Sequence, residues 1–212
     1  MRFALVLFPR LTQLDLTGPF EVFSRIPDAI VDLVAATRAP VTSDTGLQLV
    51  PSTTFDEVPQ CDLLCIPGGP GVNAAMLDDA VLAFVRRQAD GARYVTSVCT
   101  GALVLGAAGL LRGYSATTHA SAIEFLPLFG ATPVKSRVCI DRNRITGGGV
   151  TAGIDFGLAI AAELCGEETA KSIQLMIEYA PQPPFDIRAL PPIAPTEERR
   201  RAVAEAAARA GC

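Results

Sequence analysis

Cys99, Asp15, Thr100 and His119 are the side chains whose types and settings suit chemistry. Cys99 closes the apolar run Tyr94-Val-Thr-Ser-Val98 and is followed at once by Thr100-Gly101-Ala102. A strand that turns directly into a helix needs small residues there, because larger ones clash with the strand. Such a turn is expected to leave the sulfur exposed, with thiolate character supplied by helix N-terminal amides. That is a nucleophile on an elbow. The alternative is a core thiol that merely ends a strand.

Asp15 lies just past the first apolar strand, in Leu14-Asp15-Leu16-Thr17-Gly18-Pro19. It is either a helix cap or a carboxylate facing Cys99. Burial beside a thiolate would raise its proton affinity and suit it to acid/base work. The Thr100 hydroxyl can satisfy nearby backbone, orient a water or hydrogen-bond a substrate. His119 is the only histidine and follows Thr117-Thr118. A Cys–His pair is the usual arrangement of a thiol hydrolase. No acid stands at 120–123 to orient the ring, and Asp155 falls in a later helix where a structural role is expected. A catalytic His119 and a structural one that shapes the pocket both remain open.

Two glycine-rich loops flank these residues. In Pro67-Gly68-Gly69-Pro70-Gly71, the amides of Gly68 and Gly69 can face negative charge developing near the sulfur. The loop lacks both the Lys-Ser/Thr ending of a phosphate loop and GxGxxG spacing, which argues against nucleotide binding. Gly147-Gly148-Gly149-Val150 calls for close backbone packing or positive φ. It is expected to buttress the Cys99 helix, with Gly148 and Val150 bordering the pocket.

The elements that must hold these residues alternate in type. Strands are expected at 3–8, 29–36, 61–66, 94–98, 114–117, 132–134, 138–141 and 144–146, with a hairpin over 41–51. Helices are expected at 17–25 (capped by Thr17), 77–89, 100–110, 120–128, 151–164 and 167–179. Buried apolar strands with helices on both faces imply a doubly wound, mostly parallel α/β sheet of flavodoxin-like type. Sites in such sheets lie beyond the C-terminal strand ends. A single domain over 1–190 is expected, then a tail over 191–212. The tail carries a helix capped at Thr196, which would pack on a partner or project into solvent.

Net charge is -4, from 18 basic and 22 acidic residues. That offers no broad basic field for nucleic acid or anionic lipid. No stretch resembles a secretory signal or reaches the length of a membrane span, so a cytoplasmic setting is expected. The six cysteines are scattered and accompany one histidine, so no metal site is expected.

Several stretches together resemble the DJ-1/PfpI superfamily, whose fold is also that of the class I glutamine amidotransferases. They include Gln13-Leu-Asp-Leu-Thr-Gly-Pro19, Cys65-Ile-Pro-Gly-Gly69, Ala92-Arg-Tyr-Val-Thr-Ser-Val-Cys-Thr-Gly101, Ala116-Thr-Thr-His119, Thr146-Gly-Gly-Gly149 and Glu178-Tyr-Ala-Pro181. Within the superfamily they are most similar to the bacterial isocyanide hydratase group. The resemblance implies a homodimer without metal or cofactor that hydrates an isocyanide to an N-substituted formamide. It makes Cys99 the nucleophile, Asp15 the acid/base and Thr100 a pocket threonine. One departure is clear. The group carries an aromatic residue, usually Trp, directly after the histidine, where this chain has Ala120.

Two other functions fit parts of the pattern. A non-enzymatic ligand-sensing module is one, since similar domains occur fused to DNA-binding regions of regulators. A glyoxalase-like or protease-like thiol enzyme is the other, the protease weakened by the missing acid for His119. An exposed low-pKa thiol would also suit an oxidation sensor.

Overall fold

The computed structural model describes residues 1–187 and 189–211. The chain opens with β1 (Arg2–Val6), α1 (Gln13–Phe23) and β2 (Ile30–Ala35). A small antiparallel hairpin follows, β3 (Val41–Thr42) and β4 (Gln48–Leu49), turning through Gly46 at φ 94°. Next come β5 (Thr53–Thr54), β6 (Leu63–Ile66), α2 (Val72–Ala75), α3 (Asp79–Gly91) and β7 (Tyr94–Val98). The elbow helix α4 (Gly101–Ala107) leads to β8 (Ser115–Ala116), a 3-10 helix (Ala120–Phe129) and β9 (Thr132–Pro133). β10 (Val138–Asp141), β11 (Arg144–Gly147), α5 (Ala152–Cys165), α6 (Glu167–Met176) and α7 (Glu197–Arg209) complete the chain order.

The main sheet runs β10-β11-β7-β6-β1-β2-β5, and every pairing is parallel except β10 with β11. This is the doubly wound α/β architecture that the sequence implies. β6 and β7 are buried along their whole length, as a sheet covered on both faces requires. β1, β6, β7 and β11 are neighbours, so the loops leaving their C-terminal ends converge on one place. The connections after β6, β7 and β11 carry Gly68, Cys99 and Gly148, and the first turn of α1, after β1, carries Asp15.

Helix α1 is held by α5 at close range. A Cβ on Gly153 would stand 3.0 Å from Pro19 Cδ, and one on Gly157 would stand 3.0 Å from Val22 Cβ. The two glycines are four residues apart and share a helix face. Larger residues there would push α1, and Asp15 with it, away from the sheet.

Several boundaries differ from expectation. α1 starts at Gln13 rather than Thr17, so Thr17 is no cap; its hydroxyl donates to Gln13 Oε1 at 2.9 Å. Asp15 is likewise not the N-cap but sits inside the first turn. α3 starts at Asp79 because Asp78 is its cap, accepting from the amides of Ala80 and Val81. The segment 120–129 is a 3-10 helix, interrupted by Pro127 and closed by Gly130 at φ 71°. Proline removes a backbone donor, which limits a regular α-helix there.

Helix α7 does not project into solvent. Thr196 caps it as expected, accepting from the Arg199 amide at 3.2 Å. It packs on α2, α4 and the 3-10 helix, and Val203 and Ala206 are buried in the common core. Arg200 pairs with Glu124 at 3.0 Å, and Arg209 donates to the Leu77 carbonyl at 3.1 Å. Among the described residues, no helix is long and apolar enough to cross a membrane.

Candidate active site

Cys99 has φ 55°, a left-handed conformation that costs energy for a residue with a side chain. Its amide donates to both the Gly147 and Gly148 carbonyls, at 3.1 and 2.9 Å. Its carbonyl accepts from the Thr118 hydroxyl at 2.7 Å. The elbow is therefore pinned to β11 and to the segment after β8. Gly101 shows why the turn needs small residues. A Cβ there would lie 2.2 Å from the Ile66 carbonyl oxygen.

The acid and the thiol meet beside Gly68. A Cβ on Gly68 would lie 2.8 Å from Asp15 Oδ2, 2.8 Å from Cys99 Cβ and 2.6 Å from the Thr100 nitrogen. No side chain other than hydrogen fits between them. Asp15 is fully buried, and neither of its oxygens has a partner with good hydrogen-bond geometry among the described residues. Burial pushes its pKa up to about 7, against smaller opposing effects of the Cys99 thiol and the Gly68 amide that face it. That value suits proton exchange near neutral pH.

The sulfur differs from expectation. Cys99 is only 4% exposed, because Asp15 and the Gly68 loop pack against the elbow. Burial pushes its thiol well above the usual range, and the Asp15 carboxylate pushes it further; the Thr100 amide and hydroxyl oppose this only in part. The helix beyond the elbow has seven residues, too short to overcome burial. Near neutral pH the thiol keeps its proton, while Asp15 stands close to its midpoint and can give or take one.

Thr100 clamps the elbow to the β6 loop. Its hydroxyl accepts from the Gly69 amide at 2.9 Å and donates to the Gly69 carbonyl at 3.3 Å. The Gly69 amide is thereby engaged, and the Gly68 amide faces Asp15. The Gly148 amide donates to the Arg137 carbonyl at 2.9 Å, so that loop also spends its donor on backbone. Val150, half-buried, packs against the core at the start of α5.

His119 caps the 3-10 helix. Its Nδ1 accepts from the Ser121 amide at 3.2 Å and lies 2.8 Å from the Ser121 hydroxyl. Burial, then the nearby Arg199 charge, lower its pKa, so the ring is neutral. An Nδ1 that accepts from an amide leaves the ring proton on Nε2. The ring's lone pair is spent on the backbone, so His119 is not the base for Cys99. Asp155 is structural, bound to Arg137 at 2.6 Å and to the Tyr179 hydroxyl at 2.8 Å.

A cavity of about 600 Å³ adjoins the elbow, lined by Thr118, Ala120, Ile123, Gly148, Gly149 and Pro192 among others. It borders the residues that hold the Cys99 backbone, although the sulfur itself is not in its wall. Ala120 leaves open the space that a larger residue after His119 would fill. Sequence reading did not single out Arg199 of α7. Its Nη2 donates to the Gly69 carbonyl at 3.0 Å. A charge at 199 on the same helical stripe as Val203 and Ala206 was the signal that could have found it. Among the described residues, no cluster of side chains could hold a metal ion.

A doubly wound sheet with a strained cysteine elbow facing a buried acid defines a class of thiol-dependent α/β proteins. The chain belongs to the DJ-1/PfpI family, whose model matches residues 1–163. It is 55% identical over 206 residues to the isonitrile hydratase of Pseudomonas putida, covering 95% of this chain and 90% of that protein. The crystal structure of a ThiJ/PfpI family protein from Pseudomonas syringae superposes with a TM-score of 0.89 at 44% identity. That match covers all of this chain and 90% of the other. A transcriptional regulator of Pseudomonas aeruginosa, GbdR, is 33% identical over 141 residues, covering 66% of this chain but 38% of the regulator.

Proposed function

We infer that the chain is an isocyanide hydratase, converting an isocyanide and water to an N-substituted formamide through a cysteine thioimidate. The observation that carries this reading is the buried Asp15–Cys99 pair, with similarity to the Pseudomonas putida isonitrile hydratase over nearly its whole length. The ligand-sensor alternative is less well supported, because the similarity to the regulator spans little of that protein.

In the first step, Cys99 Sγ bonds to the terminal isocyanide carbon. The thiol proton passes to Asp15, and that carbon takes a proton from Asp15, giving R–N=CH–S–Cys99. Water then adds to the same carbon. One water proton goes by way of Asp15 to nitrogen, giving R–NH–CH(OH)–S–Cys99. Breaking the C–S bond returns the electron pair to sulfur, and the hydroxyl proton returns through Asp15 to the sulfur. The product is R–NH–CHO. Two low barriers replace one high one, and no charged group need persist in the buried site. Thr100 keeps the elbow and the Gly68–Gly69 loop in register while sulfur and carboxyl trade protons.

Incubation of the folded protein with an alkyl isocyanide is expected to yield the formamide in catalytic amounts. Folded protein that yields no more than the buffer control would end the assignment. The 600 Å³ cavity beside the elbow supports a bulky alkyl or aryl body on the substrate. Ala120→Trp is accordingly expected to raise KM about tenfold for a bulky isocyanide, with little change for a methyl one. Equal effects on both would show that the body binds elsewhere.

Assembly as a homodimer and a cytoplasmic setting belong to the same reading. Exposed apolar residues of α6 and the segment after it (Leu175, Met176, Phe185, Ile187, Leu190 and Ile193) support the dimer. Cys61, Cys65, Cys99, Cys139 and Cys165 are all free, as suits a reducing compartment. Net charge of -4 gives nucleic acid nothing to grip.

A further inference from the structure

Arg199 reaches the thiol site from α7, more than ninety residues beyond the elbow in sequence. Its guanidinium is held at one nitrogen and unspent at the other. Nη2 donates to the Gly69 carbonyl at 3.0 Å, the carbonyl that Thr100 also engages. Nη1 is buried and has no partner among the described residues. A buried, unpaired cationic donor is costly unless something anionic meets it during function. A crevice of about 140 Å³, lined by Ser121, Ala122, Thr196 and Arg199 among others, runs along this side chain.

We propose that Arg199 is a positioning residue of the reaction, its fixed guanidinium stabilising the Cys99 sulfur whenever that sulfur carries negative charge. The charge arises twice, as the thiol gives up its proton to attack and as the C–S bond breaks. A preorganised cation in a dry site is strong because it need not reorient. Desolvation weakens the hold of Arg199 on its own proton, and a Cys99 thiolate strengthens it. The contact of Nη2 with the Gly69 carbonyl sets this charge one residue from Gly68, which packs directly against Cys99 and Thr100. The other groups that face the pair are Asp15 from α1, Cys65 from β6, neutral His119 ahead of the 3-10 helix and Glu198 from α7, with Asp44 acting on Asp15. Among them Arg199 is the cation.

The proposal rests on Cys99 as the nucleophile, but its test needs no isocyanide. Iodoacetamide alkylation of Cys99, followed by peptide mass spectrometry between pH 8 and 9.5, reports the thiolate fraction. Arg199→Gln keeps a donor for the Gly69 carbonyl and removes the charge. Arg199→Lys keeps the charge. The glutamine variant is expected to alkylate about tenfold more slowly than the wild type, with the lysine variant within about threefold of it. Arg199→Met, which retains the packing of the stem, gives the same reading where the glutamine variant does not fold. With isocyanide, kcat is expected to fall while KM holds. A rate of alkylation in the uncharged variants equal to the wild-type rate would overturn the proposal and reduce Arg199 to an anchor for α7. A slowed alkylation in a protein that never turns over isocyanide would instead remove the hydratase reading and leave this one standing.

Discussion

Cys99→Ala is expected to reduce formamide formation to background, a loss of at least about 10³-fold, since the proposed mechanism runs through a covalent bond to this sulfur. The fold should survive. The residue is small, and the strain at φ 55° comes from backbone bonds to Gly147 and Gly148 that alanine keeps. Cys99→Ser is the sharper control. It preserves a polar hydrogen at the same place but offers an oxygen far less able to attack carbon or to leave it. Activity above one tenth of wild type in either variant, measured on folded protein, would require another nucleophile. The other buried thiols are poor substitutes. Burial pushes Cys61 and Cys65 up to about 12, and both lie within the sheet core.

Asp15→Asn is expected to lower kcat by about 10³-fold, because in the proposed mechanism every step moves a proton through that carboxyl. The same substitution has an opposite effect on stability, and its sign follows from the raised pKa. The native state keeps the Asp15 proton up to about pH 7, whereas the unfolded chain releases it near 3.8. Protonated Asp15 therefore favours the native state fully below pH 4. That contribution is lost as pH rises to 7, where the fold comes to hold a buried, unpaired carboxylate. Across this window the wild type should lose on the order of 4 kcal/mol relative to Asp15→Asn. Denaturant melts of both proteins at pH 5 and pH 8 read about 3 kcal/mol of that difference. A gap that stays constant with pH would mean that Asp15 titrates as an ordinary carboxyl. A variant that hydrates isocyanide at the wild-type rate would remove Asp15 from the mechanism.

Residues close in sequence to a strand end were the easiest to place. The Val98-Cys99-Thr100-Gly101 elbow was legible because only small residues fit against the Ile66 carbonyl. The parallel sheet was legible from strands that are mostly apolar, such as Arg2–Val6 and Leu63–Ile66. The local role of Asp15 was harder. It stands at the third position of α1, after Thr12 as N-cap, a spacing that commonly returns a carboxylate to the helix start. Here Thr12 bonds Asp44 instead, at 2.7 Å, and Asp15 turns into the core. Thr17 misled for the opposite reason, being a good capping residue that the fold uses inside the helix.

The exposure of the sulfur could not be read at all. It depends on what covers the elbow, and the groups packed on it, Asp15 and Gly68, arrive from other elements. The duties of the glycine amides were equally hidden. An amide that looks free in Gly68-Gly69 is engaged once Thr100 and Asp15 arrive from other loops. His119 illustrates the same point, since its cap on Ser121 is a three-dimensional choice between two open roles.

A nucleophile whose native environment suppresses ionisation is safest when folding is finished. In a disordered chain Cys99 would behave as a common cysteine, several per cent anionic at neutral pH and open to peroxide. The groups that bury and quiet it follow two different strands of the polypeptide, Asp15 beyond β1 and Gly68 beyond β6. Nascent or heat-loosened molecules thus present the more vulnerable sulfur, and oxidative damage should mark the time a molecule spends incompletely assembled rather than its catalytic history.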